Sequence, residues 1–352
     1  MSKKVLIVDD SALVRKQLRE MIDVLGFEID IAKNGQEAVD KATAEDFNVI
    51  TMDVNMPVMD GLTAVKEIMQ ANPTPILMVS SLTSEDASTT IEAMELGAID
   101  YIAKPGTMNV GKRENRDEIL EKVEALSKIS KRRLKRQSRR PVLRERPKRT
   151  RNTDAPAASS QDITKVLLIG SSTGGPGLIE QICAALPASY SYPVCIVQHM
   201  PEQFTNAFAK RLDRVSALNV HESKHNMELL PGNIYVARGG VHMHFAKKVS
   251  GKYVIREEKD MNDQFFQPSV DEMYFSALKT FGGERLVAVI LTGIGDDGAK
   301  GILAIKKDGG YTIGESENSA TVYGMPRVAY DIGGIMQQLD FAQIVKKIVT
   351  FK

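Results

Sequence analysis

Short apolar runs alternate with stretches of helical periodicity along the first 125 residues. VLIV (5–8), EIDIA (28–32), NVITM (48–52), PILMVS (75–80) and DYIAK (100–104) read as strands, being apolar or β-branched runs of strand length. Between the first two, Val14, Leu18, Met21, Ile22 and Leu25 recur at helical spacing and predict one amphipathic helix. Repeated strand–helix units predict an α/β fold with a five-stranded parallel sheet covered on both faces. The pattern resumes after residue 163. Val166-Leu167-Leu168, Val194 to Gln198 and Leu286 to Leu291 predict further buried strands, with helices from Leu178 to Leu186 and around Ile302 and Ile305. These units predict a second, doubly wound parallel sheet.

Charge marks the boundary between the two halves. From Ser127 to Arg151 there are thirteen Lys or Arg against the single acid Glu145, although the whole chain of 352 residues carries a net charge of only +1. Such a run repels itself, and Pro141, Pro147 and Pro156 disfavour a packed core there. The division is therefore 1–125, a basic flexible linker over 126–162, and 163–352. No aromatic residue lies among these charges to stack on a base, so a nucleic-acid partner is not expected. No apolar run approaches membrane-spanning length and none stands at the amino terminus, so the chain is expected to be cytoplasmic, without membrane insertion, and monomeric. Cys183 and Cys195, the only cysteines, lie in apolar segments and read as buried and reduced.

In the first half the polar residues gather where predicted strands end. Asp9 and Asp10 follow the first strand, Asp53 the third, Ser80 closes the fourth, and Lys104-Pro105 ends the fifth. Ligands bind parallel sheets at that carboxyl edge. Three carboxylates so placed repel one another unless a hard divalent cation joins them, which points to magnesium. A carboxylate beside such a cation can attack a phosphoryl group, and Asp53 is the best-placed nucleophile. Together VLIVDDSALVR, MDVNMPVMDG, MVSSLT and YIAKPG resemble a response-regulator receiver domain. The resemblance implies a flavodoxin-like fold in which a partner histidine kinase phosphorylates Asp53. It further implies that Asp9, Asp10, Asp53 and the backbone carbonyl of Asn55 hold Mg2+, that Lys104 contacts the phosphoryl group, and that Ser80 and Tyr101 are switch residues.

In the second half, IGSSTGG (169–175) lacks the middle glycine of a dinucleotide loop and the lysine of a Walker loop. It does contain G-x-S-x-G over 170–174, a sharp strand-to-helix turn that presents Ser172 Oγ. A match of this kind arises by chance in roughly one chain in ten of this length, so the serine needs partners elsewhere. Of five histidines, only His199 directly follows a buried strand, and Asp296-Asp297 follow the strand ending at Leu291. Three strand ends thus meet at one sheet edge and allow a Ser172, His199, Asp297 triad.

The order Ser, His, Asp departs from that of the α/β-hydrolases. IGSSTGGP, VQHMPEQFTNAFAKRL, LLPGNIYVARGGVHMHF, QPSVDEMYFS, ILTGIGDDGAKG and TVYGMPRVA instead resemble the catalytic domain of the chemotaxis protein-glutamate methylesterases, the CheB family. This resemblance implies a phosphorylation-controlled hydrolase. It would remove methyl groups from glutamyl esters of methyl-accepting chemoreceptors, releasing methanol, and deamidate receptor glutamines. Ser172 would be the nucleophile, His199 the base and Asp297 the acid, with no cofactor for the esterase reaction and with inhibition by the unphosphorylated receiver. Ile294 and Arg238 depart from the family's usual methionine and proline. A receiver joined to a DNA-binding output is the rival suggested by the basic segment, but it requires a small helical output domain. A receptor-binding adaptor without activity is the other rival, and the presence of all three triad residues argues against it.

Overall fold

The computed structural model describes residues 3–81, 83–105, 112–129, 134, 163–259 and 266–351. Most of the basic segment lies outside these residues. The chain forms two compact units, Met1–Val142 and Leu143–Lys352.

The first unit runs β1 (Lys4–Val8), α1 (Ala12–Ile22), β2 (Glu28–Ala32), α2 (Gly35–Ala44), β3 (Val49–Asp53), α3 (Gly61–Ala71), β4 (Ile76–Ser80), α4 (Ser84–Glu95), β5 (Asp100–Ala103) and α5 (Lys112–Leu126). The strand order is β2-β1-β3-β4-β5, parallel throughout. Every residue of β3, β4 and β5 is buried, which explains their nearly continuous apolar sequences. Leu18 and Ile22 of α1 and Ile119 and Val123 of α5 pack with Val5, Ile7 and Val49 in one core, which Ile129 and Leu134 join. Ser11, Asn34, Asp60 and Thr83 cap four of the helices, each side chain accepting from a backbone N–H in the first turn. Such caps contribute about 1 kcal/mol each and fix where strand hands over to helix.

The second unit runs β6 (Val166–Ser171), α6 (Pro176–Ala185), β7 (Val194–Gln198), α7 (Glu202–Val215), β8 (Asn219–Glu222), β9 (Asn233–Val236), β10 (His242–Lys247), β11 (Tyr253–Glu258), α8 (Val270–Phe281), β12 (Leu286–Ile290), α9 (Ala299–Lys307), β13 (Tyr311–Glu315), α10 (Met325–Asp331), β14 (Gln337–Leu339) and α11 (Phe341–Thr350). Seven strands form a parallel sheet in the order β14-β13-β12-β6-β7-β9-β8. Central β6 is flanked by β12 and β7, and the winding reverses between β6 and β12, the position at which open α/β sheets bind ligands beyond the carboxyl ends of their strands.

Strands β8, β9, β13 and β14 extend the sheet beyond the three strands that the apolar runs predict, and a further pair lies outside it. β10 and β11 pair antiparallel as a separate ribbon, with Phe245 opposite Ile255. Gly251, at φ +83°, closes its turn, and the ribbon is held to α8 by Phe245 N donating to Ser276 Oγ at 2.8 Å and Thr280 Oγ1 donating to Phe245 O at 3.0 Å. Among the described residues no helix is long and apolar enough to cross a membrane.

Candidate active site

At the carboxyl edge of the first sheet, oxygens of Asp9, Asp10 and Asp53 all lie within 4.8 Å of one another. Asp9 and Asp53 are buried and Asp10 is exposed. Lys104 reaches over from the end of β5, its Nζ 2.8 Å from Asp53 Oδ2 and 3.4 Å from Asp9 Oδ2. Apart from that ammonium, neither oxygen has a hydrogen-bond partner. Burial pushes the Asp53 carboxyl up to about 6, with Lys104 pulling it back and the Asp9 charge adding to the rise. Burial likewise raises Asp9. A cage of hard oxygens, two of them buried with only the Lys104 ammonium beside them, fits a small divalent cation.

Ser80, Asn55 and Tyr101, the remaining candidates of the first unit, each contact other groups. Ser80 is buried at the end of β4, its hydroxyl donating to Ser81 O at 3.1 Å. Asn55 Nδ2 donates to Asp86 Oδ1 at 2.7 Å, tying the loop after β3 to the first turn of α4. Tyr101 is buried, and the Lys122 ammonium lies 5.1 Å from its ring centroid and donates to its carbonyl at 2.9 Å.

In the second unit, β6 runs through Gly170 to Ser171, so Ser172 is the first residue beyond the sheet. The register pairs Ser171 with Gln198, which brings Ser172 and His199 off adjacent strands side by side. His199 N donates to Ser171 O at 3.1 Å, and Ser172 N donates to Thr292 O at 3.0 Å on the other flank. The structure therefore gathers the ends of β7, β6 and β12 around Ser172, which is 7% exposed.

Glycines make this crowding feasible. A Cβ on Gly293 would lie 2.8 Å from Ser172 Cβ and 2.2 Å from Met325 Sδ, and one on Gly175 would lie 2.3 Å from Gln198 Oε1. The turn after β12 can approach the serine only because position 293 has no side chain.

His199 Nε2 lies 2.7 Å from Asp297 Oδ2. The same Oδ2 accepts from Val270 N at 2.7 Å, while Oδ1 accepts from Asp271 N at 2.9 Å and Ser269 Oγ at 2.8 Å. Asp297 thus sits on the amino terminus of α8, where free N–H groups and the helix dipole favour an anion. Burial pushes its carboxyl up, but the bond and charge of His199 and the two backbone N–H groups outweigh it and hold the group down at about 2. Asp296 beside it is exposed. Ring atom His199 Nδ1 is buried without a hydrogen-bond partner.

Two neighbours carry no signal in the linear pattern. Phe266 stacks flat on His199, with centroids 4.0 Å apart and 9° between planes, yet in sequence it is one of two adjacent phenylalanines in a polar stretch. Gln198, 2% exposed, ends an apolar strand and bonds to the backbone of both Ser172 and His199.

A family model described as response regulator receiver domain matches residues 5–114, and one described as CheB methylesterase matches residues 167–348. The protein-glutamate methylesterase/protein-glutamine glutaminase 2 of Carboxydothermus hydrogenoformans is 47% identical over 355 residues, covering 99% of each chain. The corresponding protein 3 of Rhodospirillum rubrum is 42% identical over 338 residues, covering 94% of this chain and 91% of that one. The crystal structure of the Thermotoga maritima CheB methylesterase catalytic domain shares 35% identity at a TM-score of 0.51, covering 53% of this chain and 98% of that one. Fold and matches together define a response regulator whose output unit is a hydrolase. The chain belongs to the CheB methylesterase family.

Proposed function

We propose that the second unit hydrolyses γ-methyl glutamyl esters of chemoreceptors and deamidates receptor glutamines, using Ser172 as nucleophile, His199 as base and Asp297 as its orienter. The observation that carries this reading is the 2.7 Å bond between His199 Nε2 and Asp297 Oδ2, on a ring whose other nitrogen has no partner. With the Nε2 proton held by a carboxylate ionised at all but extreme pH, Nδ1 is the lone pair available to the serine on the next strand. Ser172 Oγ attacks the ester carbonyl as its proton passes to Nδ1. The resulting oxyanion draws on backbone N–H groups of the turn after β12, where Ile294 serves as well as methionine because the main chain donates. Nδ1 then returns the proton to the departing methoxide, releasing methanol, or to the amide nitrogen of a glutamine, releasing ammonia. A water that gives its proton to Nδ1 cleaves the acyl-serine, leaving a glutamate carboxylate and restoring the hydroxyl. No step needs a cofactor.

The first unit controls this activity through phosphorylation of Asp53 by a histidine kinase. The carboxylates of Asp9, Asp10 and Asp53 and the Asn55 carbonyl would hold Mg2+, which when bound neutralises charge on the phosphoryl oxygens. Asp53 attacks the phosphorus of the kinase's phosphohistidine as the P–N bond breaks and the kinase imidazole leaves, and the Lys104 ammonium, already paired to the Asp53 carboxylate, stabilises the transferring group. Release of labelled methanol from methylated receptors tests both parts. Ser172→Ala is expected to lose at least about 10³-fold in turnover, and wild-type turnover in that variant refutes the triad. Magnesium with a small phosphodonor is expected to raise the rate of the intact chain roughly 5- to 150-fold, typical of such couplings. An equal rise in Asp53→Ala refutes control through that residue.

A further inference from the structure

We propose that Gln198 is a positioning residue for both the nucleophile and the base, and that Ser171, the first serine of IGSSTGG, sets its orientation. This inference rests on the triad reading above. The Gln198 amide is buried, and its bonding capacity is directed at the two residues whose spacing the reaction requires. Nε2 donates to Ser172 O at 3.0 Å and to His199 O at 3.3 Å. Oε1 accepts from Ser171 Oγ at 2.7 Å. A side-chain amide can present oxygen or nitrogen at either position, and its neighbours decide which. The Ser171 hydroxyl, donating to one end, leaves the two N–H donors of the other end facing the two carbonyls. One planar group thereby joins residues 172 and 199 just past the point where the sheet's own hydrogen bonding stops holding them together.

The arrangement also accounts for Gly175, the last glycine of the opening motif. Its Cβ would lie 2.3 Å from Gln198 Oε1 and 2.8 Å from Ser171 Cβ, so a side chain there would displace the amide. Four positions of the nucleophile turn and base strand, 171, 172, 175 and 198, thus form one interlocked unit. Chemistry depends on its rigidity, because misplacing a reacting group by an ångström costs up to about 100-fold in rate.

The test uses the full-length chain and tritium-methylated chemoreceptors, with kcat and KM measured for Gln198→Met, which keeps the side-chain length and removes both N–H donors. The rate constant for phosphonylation of Ser172 by a fluorophosphonate probe is measured alongside on the folded protein. The expected result is a kcat roughly 10- to 100-fold below wild type with KM within about twofold, and a parallel fall in the labelling rate constant. A purely structural role would lower the melting temperature and leave the labelling rate constant of the folded protein unchanged, and that outcome overturns the proposal. Should Gln198→Met fail to fold, Ser171→Ala decides, since it keeps the amide and removes only the group that orients it. A kcat roughly 3- to 10-fold below wild type upholds the clamp, and a wild-type kcat overturns it. Ser172→Ala, measured in parallel, separates the two ideas. If it turns over normally the triad falls and the clamp with it, whereas an inactive Ser172→Ala beside an unimpaired Gln198→Met overturns the clamp alone.

Discussion

Replacing Asp297 by asparagine changes one oxygen to an NH2 group, and the surroundings leave that group nowhere to go. Both carboxylate oxygens accept: Oδ1 from Asp271 N and Ser269 Oγ, Oδ2 from Val270 N and His199 Nε2. Whichever way the amide turns, its nitrogen meets a backbone N–H of the first turn of α8. With nitrogen at the Oδ2 position, His199 must turn a bare Nε2 toward it and carry its proton on Nδ1, so the lone pair that the proposed mechanism uses is lost. With nitrogen at the Oδ1 position, the Asp271 N–H is left without an acceptor, costing about 1–3 kcal/mol.

The charge itself adds a second effect. The carboxyl titrates at about 2 in the folded chain against an ordinary 3.8, and at 1.36 kcal/mol per pH unit this difference stabilises the fold by about 2.5 kcal/mol. Because the folded value is the lower one, that stability is complete above about pH 4 and is lost as pH falls through about 2. Asp297→Asn is therefore expected to reduce methyl release near neutral pH by about 10³- to 10⁴-fold. In urea unfolding it should be about 2–4 kcal/mol less stable than wild type at neutral pH, the gap narrowing as the pH is lowered from about 4 to 2. Asp296→Asn, altering an exposed side chain, should stay within about twofold of wild type in both assays. An Asp297→Asn protein retaining more than about a tenth of wild-type kcat, or a stability gap that does not change with pH, refutes the reasoning.

Asp53, held up at about 6, shows the opposite sign: without metal its burial costs stability as pH rises from about 4 to about 6. Magnesium should therefore raise the melting temperature of the first unit more near pH 7 than near pH 5, and an equal increase at both would contradict the assignment of that cluster. Gly293→Ala places a methyl group 2.8 Å from Ser172 Cβ and 2.2 Å from Met325 Sδ. It should cost about 1–3 kcal/mol in thermal unfolding together with a fall of at least roughly tenfold in kcat, and an unaffected kcat would mean that the turn after β12 does not need to touch the serine.

Most of the first sheet, and β6, β7 and β12 of the second, were legible because these strands are buried on both faces, so their side chains spell short apolar runs that stand out against periodic helices, whereas the part-exposed edge strands β8 and β14 spell none. The ends of those runs marked Asp9, Asp53, Ser80, Lys104, Ser172 and His199 as residents of a carboxyl edge, since a parallel sheet aligns the exits of all its strands. Spacing along the chain could not choose between Asp296 and Asp297; the motif resemblance pointed to the second. In the fold Asp297 faces the amino terminus of α8 and His199, whereas Asp296 faces solvent. That difference is a property of a tight turn and of a helix beginning some 27 residues earlier. The β10–β11 ribbon, the stacking of Phe266 and the Gln198 amide were likewise invisible, because each depends on which segments meet in three dimensions. Local pattern determines which residues are strand, helix and edge; tertiary packing alone decides which edge residues come within hydrogen-bond distance, because these bonds join groups far apart along the chain whose approach is set by the whole sheet.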